Sequence, residues 1–218
     1  MIIFVANWAF DFIVFFKILN FQMNMEKNVF MTQKPQIVFS GDNKVLVLLN
    51  EQQIAEQLGG GVEAGYPHAV ERTAYQYDCY WLTLTTTVPH DANAVLAAAK
   101  TEVETAITAY DSSSSVNSFL LNGMEVWLDK ATRVGLMNST SIAKNMGQEK
   151  TSLWLGSYQL EVDCDKAIQL LSALEMYALE CFNVTAAHKK AVSELDNIEA
   201  VLTYDYKSGY PEKLKMEV

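Results

Sequence analysis

Residues 116–128 read VNSFLLNGMEVWL and residues 153–162 read LWLGSYQLEV. Each is a short apolar run, a two-residue turn and a second short run. Asn122-Gly123 and Gly156-Ser157 suit two-residue hairpins, because those turns need a positive φ that Asn and Gly tolerate. Asp129 follows the first hairpin and Asp163 the second, with Asp165 two residues on. An aspartate there can accept hydrogen bonds from the first free N–H groups of a helix. The region therefore predicts β-β-α followed by β-β-α, an α+β class of antiparallel hairpins packed on helices, with a smaller β-rich region before it.

Side chains alternate faces along a strand. Phe119, Leu121, Met124, Val126 and Leu128 then share one face, and Leu153, Leu155, Tyr158, Leu160 and Val162 the equivalent face of the second hairpin. These are the expected core faces. Trp127 and Trp154 fall on the other side, near Leu120, Glu125, Gln159 and Glu161, and are expected to share one sheet face. A Trp among polar residues is a typical contact anchor. Trp127, Trp154 and Leu120 are the candidate protein-binding residues. The alternative is that another part of the chain covers both rings.

Half of the 218 residues are hydrophobic, 19% are charged and 11% are aromatic, which suits one or two small domains with a true core. The formal net charge of −10 argues against broad binding to phosphate backbones, which needs clustered Lys and Arg. Nucleic acid is not an expected partner. Cys79, Cys164 and Cys181 lack CxxC spacing, and His68, His90 and His188 lie far apart. No metal site, catalytic constellation or cofactor is expected. Asp163 and Asp165 could hold a cation, but two carboxylates at that spacing are also what a solvated helix start shows. Asn183-Val184-Thr185 matches a glycosylation sequon, without a secretory leader pattern beside it.

The organisation expected along the chain is an apolar segment over residues 1–30, a small α+β region over 31–110 and a module of hairpins and helices over 111–218. Residues 1–24 are apolar but carry Asp11 and Lys17. Three readings stay open: a stretch upstream of the true start at Met25 or Met31, a packing helix, or a membrane anchor, which the charge at Asp11 disfavours. Residues 37–39 and 44–49 read as a hairpin, and 52–58 as one or two helical turns. Gly59-Gly60-Gly61 with Gly65 reads as a loop, lacking the spacing of a phosphate cradle. Residues 74–87 read as a long strand or bent pair, with Tyr75, Tyr77, Cys79 and Trp81 on one face packed against a helix.

His90 or Asp91 should cap a helix to about Tyr110, with Leu96, Ala99, Val103, Ile107 and Tyr110 on its apolar face. The run Asp111-Ser112-Ser113-Ser114-Ser115 marks the expected boundary. After Asp129 the stripe is Ala131, Val134 and Met137, ending at Gly147. The next helix carries Ala167, Leu170, Leu171, Leu174, Tyr177, Ala178 and Cys181. A second helical piece is expected from Thr185 to Leu195, then a short turn capped by Asp196, and an aromatic tail over residues 204–211 that could fold back.

One set of motifs resembles a known family. It comprises residues 109–119, AYDSSSSVNSF; 126–135, VWLDKATRVG; 151–155, TSLWL; Tyr177-Ala178; 183–188, NVTAAH; and 209–214, GYPEKL. In this order they resemble the family called domain of unknown function 4376, over roughly residues 109–215. Trp127, Asp129 and Arg133 form its Trp-x-Asp-x-x-x-Arg element, and Trp154 its later Trp. The resemblance implies a phage or prophage setting, often tail-associated. It carries no catalytic residues. The function expected is that of a non-enzymatic, tail-associated structural protein or assembly accessory in the virion or host cytoplasm. Its expected partners are other phage proteins or a second copy. The alternative is a soluble phage-encoded module that binds a host protein.

Overall fold

The computed structural model describes residues 25–40, 43–58, 70–84 and 91–218. The strands are β1 (Met25–Phe30), β2 (Ile37–Ser40), β3 (Lys44–Leu58), β4 (Val70–Thr83), β5 (Ser118–Leu121), β6 (Met124–Trp127), β7 (Lys150–Leu155), β8 (Tyr158–Asp163) and β9 (Lys215–Met216). The helices are α1 (Ala92–Asp111), α2 (Ser114–Asn117), α3 (Lys130–Asn145), α4 (Cys164–Glu194) and α5 (Ile198–Leu202). Helices and antiparallel sheets together make the class α+β. The chain divides into two compact units. One holds the described residues through Glu102 with Asp196–Leu202; the other holds Val103–Leu195 and Thr203–Val218.

The first unit is built on an antiparallel sheet in the order β1-β4-β3-β2. The hairpin expected from β2 into β3 forms, with Ser40 opposite Lys44. The helical turns expected over residues 52–58 do not form. That stretch continues β3 and pairs with β4, Leu58 opposite Val70. Its apolar residues, Ile54, Ala55 and Leu58, have helical rather than alternating spacing, but the partner strand decides its conformation. Asn50 sits at φ +53° where the register shifts, and its side-chain amide donates to Asp78 Oδ2 at 2.7 Å. Asn visits this left-handed region more readily than most residues.

Tyr75, Tyr77, Cys79 and Trp81 alternate with Asp78, Tyr80 and Leu82 as the strand period requires. Leu46, Leu48, Tyr77 and Cys79 are buried together, with Phe30, Val38 and Tyr75 packed on them. Among the described residues this cluster consists of strand residues alone, without the helix expected over that face. Tyr77 donates its hydroxyl to Glu51 at 2.9 Å and accepts the Lys34 N–H at 3.0 Å. Burial pushes the Cys79 thiol up to about 11, so it stays protonated at neutral pH. Asp91 caps α1, accepting from the Ala94 N–H at 2.8 Å; the alternative cap, His90, lies outside the described residues, as do residues 1–24 and Gly59–Gly61. The buried row of α1 is Val95, Ala99, Val103 and Ile107, so Val95 takes the place expected for Leu96. Asn197, not Asp196, caps α5, through Oδ1 and the Ala200 N–H at 3.1 Å.

In the second unit β5 and β6 are followed by α3, and β7 and β8 by α4. Both hairpins have the turns read from sequence. Asn122 and Gly123 both have positive φ (48° and 80°), as a type I′ turn requires. Gly156 alone is positive in the second turn, at φ 65°. Val116, Phe119, Leu121, Val126 and Leu128 join Leu153, Leu155, Val162 and the α4 row Ala167, Leu171, Leu174, Tyr177 and Cys181 in one core. Ala178 is only half-buried beside that row. Met124 and Tyr158, expected in the core, are exposed. Both flank the hairpin tips, beyond the reach of the helices.

The two hairpins do not form one sheet. β5 takes β9 on its second edge, in parallel, giving the order β6-β5-β9, while β7 and β8 stand as a separate pair. The C-terminal tail does fold back, as the sequence suggested. Leu120 N–H donates to Leu214 O at 2.8 Å and Asn122 N–H to Met216 O at 2.9 Å. Tyr110 meets Tyr206 and Tyr210 edge-to-face, with centroids 5.8 and 5.6 Å apart. His188 Nε2 must donate to the Ser208 carbonyl, at 2.9 Å, so a neutral ring accepts the Tyr204 hydroxyl on Nδ1, also at 2.9 Å.

Two helix readings are corrected. Ala131 and Val134 are exposed on α3, whose buried side is Arg133 and Thr140 with Leu136 and Met137 partly covered. Helix α4 runs unbroken through Thr185 rather than stopping before it. The Thr185 hydroxyl donates to Asp111 Oδ1 at 2.8 Å and meets the Tyr210 hydroxyl at 2.9 Å, so tertiary bonds outweigh the small propensity penalty of a β-branched residue. Helix α3 ends as expected at Gly147. The Gly147 N–H reaches Lys144 O and the Gln148 N–H reaches Ala143 O, the paired bonds of a Schellman motif, with Gly147 at φ +82°. Gly147→Ala should therefore lower stability by about 1–2 kcal/mol, the penalty of a Cβ in this region, read from the denaturation midpoint.

Among the described residues, every member of the second unit's core lies between Tyr110 and Met216. A chain without residues 1–24 should therefore keep one cooperative unfolding transition for this unit. Loss of that transition in a calorimetric scan would make residues 1–24 part of its stability.

Candidate functional site

The site begins at the turn from β6 into α3. Asp129 caps α3, accepting the Thr132 N–H on Oδ1 at 2.8 Å and the Thr132 hydroxyl on Oδ2 at 2.7 Å. These bonds hold its carboxyl below the usual range, the backbone N–H contributing most. With the helix start fixed, Arg133 is aimed inward one turn later. Its Nη1 donates to Leu128 O and its Nε to Glu175 Oε1 on α4, both at 2.9 Å. The arginine side chain is 8% exposed and the glutamate 35%. This pair ties α3 to α4.

Next to the pair is a cavity of about 580 Å³. Trp127, Leu179 and Phe182 form its apolar wall, and Asp111, Asp129, Lys130, Arg133 and Glu175 its charged one. Leu179 and Phe182 lie on the outer face of α4 with Met176, at spacings of three residues, and all three are exposed. Among the described residues there is no group of three or more His, Cys, Asp or Glu side chains that could hold a metal ion. No helix of the described residues is long and apolar enough to cross a membrane.

Trp127 is 42% exposed and Trp154 57%, so the chain's described residues leave both rings open. They do not share a sheet face, contrary to expectation: Trp127 lies opposite Ser118 in the β6-β5-β9 sheet, and Trp154 opposite Gln159 in the β7-β8 pair. Trp127 lines the cavity; Trp154 is not part of its wall. Leu120 is half-buried on β5, the central strand of its sheet. Glu125, two residues before Trp127 on β6, is paired. It accepts from Lys213 Nζ at 2.6 Å and Ser118 Oγ at 2.7 Å, which hold its carboxyl below the usual range, lysine foremost.

Arg133, Glu175, Leu179 and Phe182 were not among the candidates read from sequence. Two signals were present. The Trp-x-Asp-x-x-x-Arg spacing sets an arginine one turn beyond a capping aspartate. The Met176, Leu179, Phe182 row is a second apolar face on α4, outside the stripe that fills the core.

Comparison with known protein families, curated proteins and solved structures finds no match for this chain.

Proposed function

We propose that this is a non-enzymatic phage or prophage protein, tail-associated or an assembly accessory, that acts through protein–protein contacts. Its partners would be other phage proteins or a second copy, met in the virion or the host cytoplasm. The phage setting rests on the motif resemblance over roughly residues 109–215. The contact role rests on one observation: Trp127 stands open at a cavity bordered by the exposed Leu179 and Phe182. A large ring left in water gains buried area and a partner for its N–H when another protein covers it.

The test is Trp127→Ala in the full chain. In a phage-assembly or association assay it should weaken binding by about 2 kcal/mol, roughly thirtyfold, the size of a central aromatic anchor. Trp154→Ala should do less, since its ring is not beside the cavity. Wild-type behaviour of the Trp127 variant would remove this surface from the function. Mass spectrometry of purified particles separates a virion component from an assembly accessory.

A further inference from the structure

We infer that the cavity beside Trp127 receives a cationic side chain, lysine or arginine, presented by the protein partner. The inference rests on the contact reading above and adds the chemistry of the occupant. A volume of about 580 Å³ falls within the ordinary range of ligand sites, roughly 300–1,000 Å³. Its wall has two chemistries, and the occupant must match both.

The apolar part is Trp127 and Phe182, whose ring faces attract cations as well as apolar stems. The charged part has three carboxylates, Asp111, Asp129 and Glu175, against two cations, Lys130 and Arg133. Arg133 is already committed. Its Nε holds Glu175, its Nη1 holds Leu128 O, and its side chain is almost wholly covered. Asp111 uses Oδ1 for Thr185, and Glu175 uses Oε1 for Arg133. Among the described residues their second oxygens have no hydrogen-bond partner. The local excess is thus one negative charge, on a chain whose formal charge is −10.

An anion would meet repulsion from both the wall and the whole chain. A purely apolar side chain would cover the rings but shield the carboxylates from water without pairing them. Lysine and arginine satisfy both parts, with a hydrocarbon stem for the rings and a charged head for the carboxylates.

The test uses the full chain and three small probes: N-acetyl-arginine amide, N-acetyl-norleucine amide and N-acetyl-glutamate amide. The readout is the Trp127 indole N–H resonance, assigned by its loss in Trp127→Phe. The arginine probe should shift it saturably and bind about tenfold more tightly than norleucine, a preference that shrinks at high ionic strength. Asp111→Asn should reduce arginine binding severalfold and leave norleucine unchanged. Phe182→Leu, at an exposed position that the fold does not need, should weaken arginine binding too.

Equal binding of norleucine, preference for glutamate, or no shift with any probe would overturn the inference. The contact reading fails separately. If Trp127→Ala leaves association intact while arginine still binds, that reading falls and the cation site stands. If association is lost but no probe shifts the indole, the contact reading stands and the cation site falls.

Discussion

Leu174→Ala should destabilise the second unit by about 2–5 kcal/mol, the range for removing a fully packed leucine. Leu174 is 1% exposed and lies in the row of α4 that meets both hairpins. Truncation removes three carbons, a methine and its two methyls, and leaves a space that the flanking Leu171 and Tyr177 cannot close without moving the helix. Tyr177 is held in place because its hydroxyl donates to Val116 O at 2.7 Å. Met176→Ala is the control. That side chain is 58% exposed on the opposite face of the same helix, so its loss should change stability by less than about 0.5 kcal/mol. Urea denaturation of both variants reads the contrast. A Leu174 variant within about 0.5 kcal/mol of wild type would mean that α4 is not the cover of these strands.

The same contrast shows what the sequence made legible. Both hairpins were readable because turn chemistry and period-two alternation agree, and Asn122-Gly123 takes the two positive φ values its type predicts. The core row of α4 was readable because seven apolar residues recur at helical spacing. Where one signal stood alone, the reading failed. The buried side of α3 is polar, Arg133 and Thr140, so apolar periodicity points to the exposed Ala131 and Val134 instead. Residues 52–58 carry no alternation, and only pairing with β4 makes them strand. No local pattern could announce that β9 would take the free edge of β5 and hold the two hairpins in separate sheets. At the candidate site, Trp127 was visible as a Trp on a polar face. The cavity was not, because it joins the end of α1 to β6, α3 and α4 through side chains up to 71 residues apart, from Asp111 to Phe182.

Arg133→Met should cost about 2–3 kcal/mol, although methionine fills much of the same volume. Three losses add. The Leu128 carbonyl loses a donor at a buried position, which alone costs about 1–3 kcal/mol when nothing replaces it. Glu175 loses its ion-pair partner, a smaller loss because its side chain is 35% exposed and water can solvate it. The tie between α3 and α4 is then left to the partly covered Leu136 and Met137. Glu175→Gln should cost less than about 1 kcal/mol, since the amide oxygen still accepts from Nε and the remaining group is partly solvated. The double variant Arg133→Met with Glu175→Gln should be less destabilised than the two single losses added together, because the second change removes a charge that the first had stranded. Strict additivity in that cycle would mean the ion pair contributes nothing and that Arg133 acts only through Leu128. The same measurement bears on the cavity, because Arg133 and Glu175 are part of its wall. If the pair fixes that wall, Glu175→Gln should leave the Trp127 indole signal in place, whereas Arg133→Met should broaden it.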